Sequence, residues 1–164
     1  MKLQKISPCL WFDHQAEEAA RFYTLIFDNS RIVTITHYGE AGHDIHGMPA
    51  GSVLTVEFEL DGQQFTALNG GPVFKFSEAI SLQIFCNDQA EIDYFWEKLT
   101  QGGDVSAQQC GWLKDKYGLS WQVVPAGFTE MLTSGDYEKS ERLMTALLQM
   151  KKLDIAQLQQ AYAG

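Results

Sequence analysis

The chain has no apolar run approaching the roughly 18 residues that a membrane span requires, so no membrane partner is expected. Cysteine is scarce: Cys9, Cys86 and Cys110 are widely spaced and form no CxxC pair. An odd set of this kind argues against a disulfide framework and for reduced thiols in a cytoplasm. Basic residues are also few, 12 Lys and Arg against 21 Asp and Glu, and the formal net charge is −9. Such a balance excludes the basic face that a nucleic-acid partner needs. Met1-Lys2-Leu3-Gln4-Lys5 contains no apolar h-region, so no secretory signal is expected. No glycine-rich loop follows a first strand, which removes the doubly wound nucleotide-binding domain of a common methyltransferase. What is present is 164 residues, 45% hydrophobic, enough for one globular domain with an ordinary core.

The strongest positive signal is repetition. Ala16 to Phe27 has an amphipathic helical pattern that recurs from Gln89 to Thr100, with Phe22-Tyr23 falling on Phe95-Trp96. Each helix follows a β-rich run, Ile6 to Phe12 and Ile80 to Phe85, and each precedes three further strand-like segments. Two tandem βαβββ units are therefore expected, with any site in the cleft between them.

Local chemistry supplies the details. Asp13 is placed to cap the first helix, whose apolar stripe is Ala16, Ala19, Ala20, Tyr23, Ile26 and Phe27. Arg31 to Tyr38, rich in β-branched residues, reads as a strand, and the glycine-rich stretch from Gly39 to Gly51 as a loop. Val53 to Leu60 and Gln63 to Asn69 form a hairpin about Asp61-Gly62. In the second unit a strand from Ala79 to Cys86 leads to a helix capped by Asp88, with Glu91 three residues on. Its buried stripe is Ile92, Phe95, Trp96 and Leu99. Asp104 to Gln109 reads as a weak strand, and Trp112 to Tyr117 with Leu119 to Val124 as a hairpin about Gly118. Beyond Pro125, a helix from Asp136 to Met150 with Leu143, Met144, Leu147 and Leu148 on one face is expected, then a last short helix after Asp154. These helices suit either a sheet edge of the same subunit or a subunit interface.

Specific stretches carry a family resemblance. Phe12-Asp13 with Ala16-Glu17-Glu18-Ala19 and Phe22-Tyr23, then Ala67-Leu68-Asn69-Gly70-Gly71-Pro72, Tyr94 to Leu99, Gly111 to Pro125 and Met150 to Ile155 resemble the PhnB-like branch of the glyoxalase/bleomycin-resistance/extradiol-dioxygenase superfamily, also called vicinal oxygen chelate. The resemblance implies an α+β fold in which two βαβββ modules form a pair of half-barrels. The expected organisation is a single domain over residues 1–164, with module one at 3–72, module two at 77–125 and a C-terminal helical extension at 126–164. A homodimer is expected. Members of this branch often carry the label demethylubiquinone 3-methyltransferase.

Metal-dependent relatives in the superfamily bind a divalent ion with four side chains, two per module. The resemblance places those positions at Ser7, Thr66, Ser81 and Gln122. Hydroxyls and an amide are poor ligands beside imidazole and carboxylate, so no metal or other cofactor is expected. His37, His43, Asp44 and His46 on or beside the glycine-rich loop are a second candidate metal group, outweighed by the solvated-loop reading. Cys9 and Cys110 lack a neighbouring base for nucleophilic work. Glu57 and Glu59 read as a solvent-facing strand face, and Lys114-Asp115-Lys116 as a solvated hairpin. Trp11, Trp112 and Trp121 suit either core packing or the wall of a pocket for a planar molecule.

Strand alternation then gives the candidate ligand-binding set. Ser7, Cys9, Trp11, Thr66, Leu68, Ser81, Gln83, Ser120 and Gln122 face away from the helices. Their mixed polar and apolar character suits a small organic molecule. Metal-independent binding of such a molecule is the favoured reading. An enzyme of the superfamily, whether lyase, isomerase, dioxygenase or the methyltransferase of the label, is the alternative.

Overall fold

The computed structural model describes residues 4–164; Leu3, the expected start of module one, and the N-terminal residues before it lie outside the described residues. The chain forms two compact units, the first running to Lys75 and the second from Phe76.

In the first unit, β1 (Cys9–Phe12), α1 (Ala16–Thr24), β2 (Arg31–His37), a single helical turn α2 (His43–His46), β3 (Val53–Leu60) and β4 (Gln63–Asn69) follow in order. The sheet order is β1-β4-β3-β2. β1 runs parallel to β4 and the remaining pairs are antiparallel. Alternation puts Leu10, Phe12, Val56, Phe58, Leu60, Phe65 and Ala67 on one face, all buried. Against it lie Ala16, Ala19, Ala20, Tyr23 and Ile26, five of the six residues of the expected stripe; Phe27, past the end of α1, is only half-buried. The alanines leave room for close approach, and Tyr23 stacks over Phe58 at 6.4 Å.

Asp13 does not cap α1. The residue preceding the helix is Gln15, whose side chain makes no capping bond. Asn69 at the end of β4 does the work instead: its Oδ1 accepts from the Ala16 amide at 2.8 Å, and its Nδ2 donates to the Val53 carbonyl at 3.1 Å. With that amide taken by Asn69, Asp13 stays exposed beside His14.

The second unit contains β5 (Leu82–Cys86), α3 (Gln89–Thr100), β6 (Trp112–Lys114) and β7 (Ser120–Pro125). The sheet order is β5-β7-β6, with β5 parallel to β7. This repeats the parallel pairing of first and last strands seen in the first unit. Asp88 caps α3 by accepting from the Glu91 amide at 2.9 Å, while the Glu91 carboxylate reaches back to the Asn87 amide at 2.7 Å.

The strand expected at Asp104–Gln109 is replaced by a 3₁₀ turn, Val105–Ala107, and a lone bridge from Gln109 to Trp112. The Asp104 carboxylate explains the change, because it accepts from the Ser106 amide at 2.8 Å and hydroxyl at 2.6 Å. Such local bonds pull the backbone away from a sheet ladder. The second sheet thus has three strands where four were expected.

After β7 come α4 (Phe128–Leu132), α5 (Tyr137–Leu147) and α6 (Ile155–Ala163). Asp136 and Asp154 cap the last two through the Lys139 and Gln157 amides. Leu143 and Leu158 are buried, but Leu148, expected on the same apolar face, is exposed. The link between α5 and α6 docks on the second unit. Cys110 and Gly111 donate to the Met150 and Lys151 carbonyls at 2.8 Å, Gln89 bridges Leu153 and Ile155, and Leu153 is fully buried.

Candidate functional site

Pairing register sorts the candidate residues onto faces. In the first unit, Cys9 stands opposite Thr66 and Trp11 opposite Leu68. These lie on the face turned away from α1, since the residues between them are buried on the other side. Thr55 faces Leu68 and Glu57 faces Thr66 across the next pair. Thr34 and Thr36 continue the rows on β2, with Thr36 and Thr55 hydroxyls 2.6 Å apart. Glu57 and Glu59 therefore share a face with the candidate set. Glu59 is bonded to Arg31, which holds its carboxyl below the usual range. The two-residue hairpin at Asp61-Gly62 already dictates the Glu57–Thr66 match, so this neighbour could have been read from the sequence.

Trp11 is locked in place rather than free to stack. Its Nε1 donates to the Gly71 carbonyl at 2.9 Å, and its ring meets Phe74 edge-on at 4.9 Å. Gly70 is required here, because a Cβ at that position would sit 2.2 Å from the indole. Ser7 precedes β1 and donates to the Gln64 carbonyl at 2.6 Å. Cys9 is exposed, and partial desolvation raises its thiol pKa, the opposite of what a nucleophile requires.

In the second unit, Gln83 pairs with Gln122, and Gln122 with Trp112. The Gln122 Nε2 donates to the Ser81 hydroxyl at 2.8 Å, and Gln83 Nε2 donates to Gln122 Oε1 at 3.4 Å. Ser81, Gln83 and Gln122 thus form one hydrogen-bonded chain across the open face. Ser120 lies on the same face, two residues before Gln122 and opposite Lys114. It is 1% exposed, and its hydroxyl has no hydrogen-bond partner.

Two expectations for this hairpin are corrected. Asp115 is not solvated: it is 2% exposed and accepts from the Tyr117 amide, the Leu119 amide and Trp121 Nε1. Those three donors replace water and fold the turn around the carboxylate. Trp121 consequently belongs to the buried face rather than to the wall with Gln122. Lys114, also read as solvated, is ion-paired with Glu78 and its side chain is 23% exposed.

The four positions that hold the ion in metal-dependent relatives do not fit a metal. Ser7 donates to a carbonyl, Gln122 presents its amide protons to Ser81, and no imidazole or carboxylate stands among the four. The loop histidines do not replace them. His46 meets backbone groups through both ring nitrogens, Ala41 O at 3.2 Å and Met48 N at 3.0 Å. Among the described residues no three His, Cys, Asp or Glu side chains converge to hold an ion.

The family model described as 3-demethylubiquinone-9 3-methyltransferase matches residues 4–124, most of the chain and nearly all of both sheets. The chain belongs to this family. Among solved structures it is similar to a Bacillus cereus protein described as a putative 3-demethylubiquinone-9 3-methyltransferase, PhnB protein. The two are 39% identical over 75% of this chain and 100% of that one, with a TM-score of 0.65. The fold also matches the fosfomycin resistance protein FosX of Mesorhizobium loti, at 17% identity and TM-score 0.55 over 81% of this chain and 99% of that one. A Pseudomonas aeruginosa protein is similar at 19% identity and TM-score 0.58, over 76% and 98%. No curated protein matches the chain. This 3-demethylubiquinone-9 3-methyltransferase family member is PhnB-like and has an α+β fold. The family model stops at residue 124, so the Met150–Ile155 resemblance and the last three helices lie beyond it. Among the described residues no helix is long and apolar enough to cross a membrane.

Proposed function

We propose that the chain binds a small organic molecule without a metal ion, on the open face of the second sheet. The observation that carries this reading is the Ser81–Gln122–Gln83 hydrogen-bond chain beside Trp112. A carboxamide held by two neighbours on a surface with an aromatic wall is prearranged to orient a polar ligand. Gln122 is the central recognition residue, Ser81 and Gln83 hold its amide in one orientation, and Ser120 adds a hydroxyl. On the first unit's open face, Cys9, Thr66 and Leu68 provide a further mixed surface, with Trp11 as its fixed wall and Ser7 at its edge. The chain acts as a homodimer in a cytoplasm, and the module boundaries 3–72, 77–125 and 126–164 describe its parts.

Amide-resolved NMR with a library of small polar and aromatic fragments tests the reading. Shifts are expected to concentrate at Ser81, Gln83, Trp112 and Gln122, and Gln122→Ala is expected to remove them while unfolding at the same temperature as the wild type. Shifts that survive Gln122→Ala, or that fall on the helices, would overturn it.

A second reading rests on the Bacillus cereus relative, which is described as a putative methyltransferase. Under it the same face holds the acceptor substrate. Saturable binding of S-adenosylmethionine, with methyl transfer to a phenolic acceptor, would favour this reading over simple binding. Absence of both would remove it.

A further inference from the structure

From the second sheet's open face we infer that the bound molecule carries an oxyanion, a carboxylate or a phosphate group, received by Lys114 and Ser120. The inference rests on the proposed binding face and names the chemistry of its ligand. Three observations on this face carry it.

The first is the Ser120 hydroxyl, almost wholly buried and without a partner. A buried hydroxyl normally finds an acceptor, and an orphan in a native fold calls for an explanation. The second is Lys114, which pairs with Ser120 in register and stands on the same face by alternation. Its side chain is mostly covered, so its ammonium needs a counter-charge.

The third is the counter-charge now in place. Glu78 belongs to no helix or strand and precedes β5, and its side chain is 64% exposed. Glu78 stays largely in solvent while paired, so a better-placed anion can replace it at Lys114. Asp104 also lies near the Lys114 charge, but its carboxylate is committed to the Ser106 amide and hydroxyl. Glu78 thus stands where the ligand's oxyanion binds. The incoming group exchanges Glu78 for itself at Lys114 and gives Ser120 the acceptor it lacks. Gln122 and Trp112, one step along the sheet, meet the body of the molecule. In a chain of net charge −9, this local cation is what admits an anion at all.

The test is an NMR titration of the full-length protein with benzoate, benzamide and inorganic phosphate, with sodium chloride as the ionic-strength control. Benzoate or phosphate, and not chloride, is expected to shift Lys114, Ser120 and Gln122. Glu78→Gln is expected to tighten binding severalfold by removing the competing carboxylate. Lys114→Met is expected to weaken it at least tenfold, and Ser120→Ala severalfold. Benzoate without phosphate assigns a carboxylate ligand, and phosphate without benzoate a phosphate ester. Benzamide binding as well as benzoate, with Gln122→Ala weakening both, would sink the oxyanion assignment and leave the binding face standing. Binding that is unchanged or weakened in Glu78→Gln would also overturn it. Should none of the probes shift this face, both the assignment and the binding face fall.

Discussion

Single residues in this protein separate stability from function. The buried, unpartnered Ser120 hydroxyl costs the fold about 1–3 kcal/mol of unrecovered desolvation. Ser120→Ala should therefore leave urea-unfolding stability unchanged or raise it, and a loss above about 1 kcal/mol would show a hidden structural partner. Cys86 behaves oppositely. Burial, then the charges of Glu91 and Asp88, pushes its thiol up to about 12 from the usual 9.0. The folded state thus holds this proton more tightly than the unfolded chain. The stability it supplies is complete below pH 9.0 and declines as pH rises from there toward about 12. Cys86→Ala should flatten stability over that alkaline window, and native-state alkylation at neutral pH should label Cys9 and spare Cys86. Which face a residue occupies is legible wherever alternation runs cleanly, as from Leu10 to Phe12 and from Ser120 to Gln122. Asp115 is not legible in this way, because its three donors come from the turn geometry, which a Lys-Asp-Lys run does not reveal.

At the scale of elements, a cap that crosses from strand to helix ties the first unit together internally. Asn69 joins the start of α1 to the β3–β4 pair through both ends of its amide, and Tyr38 bonds its carbonyl at 2.6 Å. Asn69→Ala leaves a helix amide and the Val53 carbonyl without partners, so a loss of about 1–3 kcal/mol is expected by urea denaturation. Asp13→Ala should change stability by less than about 0.5 kcal/mol, as an exposed residue without a capping bond. The long-range cap is not legible in the sequence, because its donor and acceptor lie 53 residues apart. Caps local in sequence, at Asp88, Asp136 and Asp154, are legible or nearly so from spacing alone. The missing fourth strand of the second sheet is the converse case, since a local Asp–Ser bond at Asp104 defeats a weak strand signal.

For the whole chain, repetition and family motifs convey the α+β plan, and register within each hairpin conveys the faces. The docking of the last helices is left open by their amphipathic pattern, which fits a neighbouring subunit equally well. In the structure Leu153 fills the space against Gly111, where an added Cβ would lie 3.1 Å from the leucine. Leu153→Ala should cost about 2–5 kcal/mol in denaturant unfolding. A cost below about 1 kcal/mol would show that the extension packs only loosely on the second unit. This segment lies beyond residue 124, where the family model ends.

Whether the open face of the second sheet holds a small organic molecule through Gln122 is decided most directly by native mass spectrometry. The full-length protein, purified untagged and without chelators, is compared with its Gln122→Ala variant. A small organic adduct is expected on the wild type, with no metal mass, and loss of that adduct from an equally stable variant. A bare wild-type chain, one metal ion per chain, or an adduct retained in full by Gln122→Ala would contradict this assignment.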